Sequence, residues 1–195
     1  MNFEKFCSMC WNDKDAFCCY YDDDSVGFIT VGIKSAIKIK DKTGLEYSDF
    51  LVFSKLPDSM IEECRNDVDG SEGKLRSEMF VDGKILRLKT KHDHTCVFLD
   101  GNHKCSIHKF RPLICRVYPF WYSKSDKEVF DIVKHEDSSG SSVCLFLKFH
   151  PNIDQIQKNV ISEVKSVAKM IEEEKEHYIK NIKSFVKKNN INPSD

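Results

Sequence analysis

The stretch CVFLDGNHKCSIHKFRPLICRVYPF, residues 96–120, decides the fold of this 195-residue chain. Its short apolar runs, Cys96–Leu99 and Cys105–Ile107, flank Asp100, Gly101 and Asn102, residue types that favour tight turns, so the segment reads as an antiparallel hairpin. Pro112 and Pro119 fix turns on either side of Cys115, because each locks its own φ. Working upstream, Met79–Val81 and Ile85–Leu88 flank an Asp82–Gly83 pair and read as another hairpin. Downstream, Val129–Val133 reads as a further strand. The middle of the chain is therefore a set of short antiparallel hairpins with cysteines at strand ends.

Helical patterns lie on both sides. Thr30 is an N-cap candidate, Ile33, Ala36 and Ile37 share one helical face, and Gly44 supplies a stop. A short second helix is expected over 47–53, and Pro57 with Asp58 opens a third containing Met60, Ile61 and Cys64. Residues 66–74, NDVDGSEGK, form a loop. From about Ile153 to Val186 there is no Gly or Pro. Ile156, Val160, Val164, Val167, Ile171, Tyr178, Ile182 and Phe185 recur there at three- and four-residue steps, the mark of one long amphipathic helix. The stripe weakens over residues 172–176, EEEKE, which marks the place for a kink or a break into two helices. Packing onto the domain is favoured over a dimerising coiled coil because clean heptads do not persist. The outward face of this helix is nonetheless a candidate surface for a protein partner.

The fold class that follows is α+β: a small cysteine-rich domain with short antiparallel hairpins, N-terminal helices and the long C-terminal helix. Thirty Lys and Arg against 31 Asp and Glu give a net charge of -1, so overall charge argues for neither nucleic acid nor an anionic membrane. No apolar run approaches the ~20 residues needed to cross a bilayer. The opening residues, MNFEKFCSMC, lack a basic segment followed by an apolar one, which sets the expectation of a cytoplasmic protein.

Nine cysteines are the outlying feature. In a reducing cytosol, disulfides seldom persist, so clustered thiols point to metal ligation or redox chemistry. They form two groups: Cys7, Cys10, Cys18 and Cys19, then Cys96, Cys105 and Cys115, with Cys144 following. The two residues between Cys7 and Cys10 allow a tight turn to aim both sulfurs at one ion, and thiolates favour zinc or iron–sulfur clusters. Neighbours in extended backbone point to opposite faces, so Cys18 and Cys19 suit different ions. Without Cys64, eight cysteines suffice for two four-thiolate sites. Cys64, in a helical segment, reads as a small buried residue. The N-terminal four have polar neighbours such as Asn12, Asp13, Lys14 and Asp15, which offer no core to bury them. No metal role is assigned to His92, His94, His103 or His108.

The segments CVFLD (96–100), KCSIH (104–108) and RPLICRVYPF (111–120), preceded by the N-terminal Cys–Cys cluster, resemble the YkgJ-type cysteine-cluster family of zinc- or iron-chelating domains. That group is itself similar to the cysteine-rich part of flagellin lysine N-methylases. The resemblance spans roughly 7–122 and, more loosely, Cys144. It implies a chelating cluster of Cys7, Cys10, Cys18, Cys19, Cys96, Cys105 and Cys115. The chain departs from the pattern in the seven residues between Cys10 and Cys18, where the family has a short gap, and in the CysLeuPhe context of Cys144, where relatives have CysProGly.

The expected organisation is then a cysteine-cluster metal-binding domain over 1–150, the helix over 151–189 packed on it, and a frayed tail at 190–195. Its cofactor would be zinc or an iron–sulfur cluster. Residues 84–124 carry nine Lys and Arg against two Asp, and a four-thiolate zinc site is formally -2, so nearby cations lower its electrostatic cost. Arg111 and Arg116 are candidates to hydrogen-bond thiolates or the Asp22–Asp24 carboxylates. Phe110, Tyr118, Phe120, Trp121 and Tyr122 interleave with these cations, yet such aromatics are more often core, and a nucleic-acid surface is disfavoured. The alternative is an iron–sulfur enzyme resembling protein-lysine N-methyltransferases. No catalytic residue is identified for it, and no GxGxxG, Walker A, HExxH, GxSxG or radical-SAM signature is present.

Overall fold

The computed structural model describes residues 19, 29–56, 58, 61–62, 78–102, 104–118, 120–124, 130–134 and 158–191. Helix α1 spans Ile33–Thr43 and ends, as expected, at Gly44, whose φ of 72° is left-handed and whose N–H reaches the Lys40 carbonyl at 2.8 Å. It begins after Gly32 rather than at Thr30. Thr30 lies instead in extended backbone opposite Arg87 and is buried. The core side of α1 is Ile33, Ser35, Ala36 and Ile39, whereas Ile37 is 40% exposed. One residue beyond Ala36 is a turn of about 100° round the axis, enough to carry Ile37 off the buried face.

The expected second helix is a single turn, α2, Tyr47–Phe50, closed by a capping box in which the Glu46 N–H donates to the Asp49 carboxylate at 2.8 Å. At Leu51 the backbone becomes extended and Leu51–Lys55 forms strand β1. The aromatic and β-branched residues read as helix gain a pairing partner there, and tertiary context outweighs local preference. Of the expected third helix, Asp58, Ile61 and Glu62 are helical, while Pro57, Met60 and Cys64 lie outside the described residues.

Strand β2, Lys84–Leu88, is entered through Asp82 and Gly83, with φ of 54° and 72°. Both values are positive, as a type I′ turn requires, and Val81 and Lys84 exchange hydrogen bonds of 2.9 and 3.1 Å. The turn is where the sequence predicts it, but the strand partner is β1, in the register Leu51↔Leu88 to Lys55↔Lys84. Residues 79–81 contribute a single bridge at Val81. On its other edge β2 receives the 29–31 segment: the Val31 N–H donates to the Leu86 carbonyl and the Leu88 N–H to the Ile29 carbonyl, both at 3.0 Å. Buried Ile85, Leu86 and Leu88 make β2 central.

Helix α3, Leu113–Val117, precedes a second antiparallel pair, β3 (Phe120–Lys124) and β4 (Phe130–Lys134), with Phe120 opposite Lys134. The strand expected over 129–133 is β4, one residue further on. The hairpin expected across 96–107 is reduced to isolated bridges, Thr90↔Cys96 and Leu99↔Cys105. Pro119 lies outside the described residues.

Helix α4, Lys158–Lys188, lies against α1, α3 and the β3–β4 pair. Val164, Val167, Ala168, Ile171, Tyr178 and Ile182 are buried and Phe185 is half-buried, while Ile156 lies outside the described residues. The helix is continuous through 172–176, the place the sequence marks for a kink or a break into two helices. Glu174 occupies the stripe position there and is only 5% exposed. Its carboxylate reaches the N-terminus of α1, accepting the Ser35 N–H at 2.6 Å and the Ser35 hydroxyl at 3.0 Å. Gly32, the N-cap of α1, offers no side-chain acceptor, and Glu174 supplies one from another helix.

The buried Tyr178 hydroxyl accepts the Leu86 N–H at 2.9 Å, which ties α4 to β2, and burial raises the phenol well above its ordinary pKa. Tyr178→Phe strands that amide without a partner and is expected to cost about 1–3 kcal/mol. Urea unfolding should show a lower midpoint with an unchanged slope; an unchanged midpoint would refute the assignment.

Candidate metal centre

The cysteine segment is shaped by a succession of turns. The Lys91 N–H donates to the Thr95 carbonyl at 2.8 Å and the His94 N–H to the Lys91 carbonyl at 3.0 Å, with His94 at a φ of 60°. Asp93 accepts the Thr95 hydroxyl at 2.6 Å and the Thr95 N–H at 3.1 Å, which lowers its pKa. This reversal delivers Cys96 opposite Thr90, and the Cys96 N–H donates to the Cys19 carbonyl at 2.8 Å. Cys19 is thereby joined to the central segment.

Beyond Cys96 the chain turns again, with the Leu99 N–H on the Cys96 carbonyl at 2.9 Å. Asp100 closes the next turn: its Oδ1 accepts the N–H groups of Asn102 and Lys104 at 2.8 and 2.9 Å, while its own N–H donates to the Lys104 carbonyl at 2.8 Å. That turn sets Cys105 opposite Leu99, whose carbonyl also accepts the Lys91 ammonium. Sequence reading missed Lys91; the only signal was its place among the cations of 84–124. The Cys105 carbonyl accepts the His108 N–H at 3.1 Å, a 3₁₀ turn over His108–Phe110 follows, and Pro112 caps α3, which carries Cys115.

Apolar packing holds the segment. Phe98, Ile107, Ile114 and Val117 are buried, and the Phe98 ring lies 5.6 Å from that of Phe50 on α2. Cys96 is 6% exposed, and Cys19, Cys105 and Cys115 are half-buried against the same core. Arg116 lies 3.9 Å from Glu163 of α4, so its charge is directed toward that helix, and Arg111 has no ion-pair partner among the described residues. Asp22–Asp24 lie outside the described residues, as do Cys7, Cys10, Cys18, His103 and Cys144.

Of the eight expected ligands, four are described. Cys19 and Cys96 adjoin through their main chains, Cys105 stands across the hairpin end, and Cys115 lies on the following helix. Among the described residues no three Cys, His, Asp or Glu side chains converge as a metal site. The donor chemistry suits a soft cation, because buried thiolates need a compensating charge, but these four positions do not close a site by themselves.

Comparison with known proteins adds one finding. Residues 6–145 match the model of the CxxCxxCC family, described as "Putative zinc- or iron-chelating domain". No curated protein and no solved structure matches the chain. Among the described residues no helix is long and apolar enough to cross a membrane. Since the match takes in all eight expected ligands and most of the chain, this protein belongs to the CxxCxxCC family of zinc- or iron-chelating domains.

Proposed function

We propose that the chain is a cytosolic cysteine-cluster protein whose thiolates hold one or two zinc ions or iron–sulfur clusters. The ligands are drawn from Cys7, Cys10, Cys18 and Cys19 on one side and Cys96, Cys105 and Cys115 on the other, with Cys144 completing the set. The observation that carries this reading is the Cys96 N–H bonded to the Cys19 carbonyl at 2.8 Å, because it joins the two cysteine groups, far apart in sequence, at their backbones. Cys96 is 6% exposed, so if its sulfur ionises to serve as a ligand it needs a cation beside it. In this arrangement the metal ties the N-terminal segment onto the central turns.

Elemental analysis and absorption spectra of anaerobically purified protein test the reading. Stoichiometric zinc in a colourless protein identifies a zinc site, and brown colour with charge-transfer bands identifies an iron–sulfur centre. Alanine at Cys10, Cys19, Cys105 or Cys115 should lower bound metal, whereas Cys64→Ala should not. Equal metal content in all five variants would overturn the ligand set.

A further inference from the structure

Away from the cysteines, the end of the β1–β2 pair and the last turns of α4 border an open hollow of about 340 Å³ lined by Phe53, Lys84, Lys183, Val186, Lys187 and Ile191. Its volume falls in the range of small-molecule sites. Phe53 and Ile191 are buried and Val186 is half-buried, giving an apolar floor. The charge above it is unbalanced. Strand register sets Lys84 directly opposite Lys55, a like-charge pair that destabilises a sheet unless a counter-charge is near. Lys55 lies 3.4 Å from Asp58 and Lys183 lies 2.7 Å from Asp82. Lys84 and Lys187 have neither an ion-pair nor a hydrogen-bond partner among the described residues.

The carbonyls at a helix C-terminus would ordinarily repel an anion here. Three of them are engaged: those of Phe185, Val186 and Lys187 accept the N–H groups of Asn189, Ile191 and Asn190 at 3.1, 3.2 and 3.4 Å. Asn190, held at a φ of 50°, completes the lining.

We propose that this hollow binds a phosphate monoester with an apolar body, the phosphate between the Lys84 and Lys187 ammoniums and the body over Phe53, Val186 and Ile191. Two ammoniums without an ion-pair partner among the described residues match the charge of a phosphomonoester, about -1.5 to -2 at neutral pH. Lysine binds phosphate as a point charge and needs no bidentate geometry.

Phenyl phosphate titrated into the full-length protein, followed by amide chemical shifts, tests this. Saturable shifts confined to Phe53, Lys84 and residues 183–191 are expected, with binding about tenfold weaker in Lys187→Gln and weaker still in Lys84→Gln/Lys187→Gln. Unchanged amide shifts elsewhere confirm that these variants fold. Lys165→Gln, an exposed lysine earlier on α4, should bind as the parent does. Absence of saturable shifts overturns the site. Inorganic phosphate binding as tightly overturns the role of the apolar floor, and an equal loss in Lys165→Gln reduces the effect to net charge and overturns it as well.

Discussion

Removing the metal with a chelator is expected to lower the melting temperature by more than about 10 °C and to loosen one part of the molecule selectively. A structural thiolate site contributes on the order of 10 kcal/mol. A chain of this size loses roughly 2–4 °C per kcal/mol, so even half that contribution is large. The loss should be local. Between Thr90 and Tyr118 the main chain is held by two isolated bridges, short-range turns, a 3₁₀ turn and the five-residue α3. The β1–β2 pair and α4 rest on a continuous apolar core in which, among the described residues, Cys96 is the one buried cysteine and Cys19 packs only against its margin. In hydrogen exchange, the amides of Cys96, Ser106 and Arg116 should lose protection on metal removal, while those of Val31, Leu86 and Leu88 keep it. If elemental analysis shows the metal gone and melting and circular dichroism are unchanged, the structural site is refuted.

Gly32→Ala should destabilise the fold by about 3 kcal/mol, although Gly32 sits in ordinary extended backbone with φ -76° and ψ 159° that alanine adopts freely. The cost lies in the new methyl, whose carbon would fall 2.2 Å from Glu174 Cδ. It pushes a buried carboxylate off the N–H and hydroxyl of Ser35, and an uncompensated buried charge is the expensive outcome. With Glu174 truncated to alanine, Gly32→Ala should cost far less; equal costs in the two backgrounds would sink the explanation.

The same contact predicts a pH dependence. Burial raises the Glu174 carboxyl above its ordinary value, an effect larger than the opposing hydrogen bonds from Ser35 and the attraction of Lys34. The folded state therefore holds this proton more tightly than the unfolded chain. Its stabilising effect is full below about pH 4.5 and is lost as pH rises through the elevated value. Glu174→Gln should match the parent most closely in acid and gain on it as pH rises; melting curves at about pH 4 and about pH 8 that differ by the same amount would refute this.

Much of this was legible from local rules. Gly44 stops α1 because a residue without a side chain readily takes the left-handed conformation there; Gly83 does the same in its turn, beside Asp82, a residue type that tolerates it. Asp100 shapes its turn because a short carboxylate reaches amides two and four residues on. The long helix follows from its apolar steps, and the family from the cysteine contexts. Other features depend on contacts between residues distant in sequence. Leu51–Lys55 is a strand because β2 lies beside it, and no local preference records a neighbour. EEEKE reads as the weak point of α4, yet Glu174 is where that helix grips α1, since the acceptor it provides serves amides far away in sequence. Cysteine spacing alone could name thiolates as ligands, because soft-metal chemistry belongs to the residue type. That Cys19 and Cys96 meet, and that Lys84 and Lys187 share a hollow without ion-pair partners among the described residues, came only from the folded chain, which alone sets the distances on which charge and coordination depend.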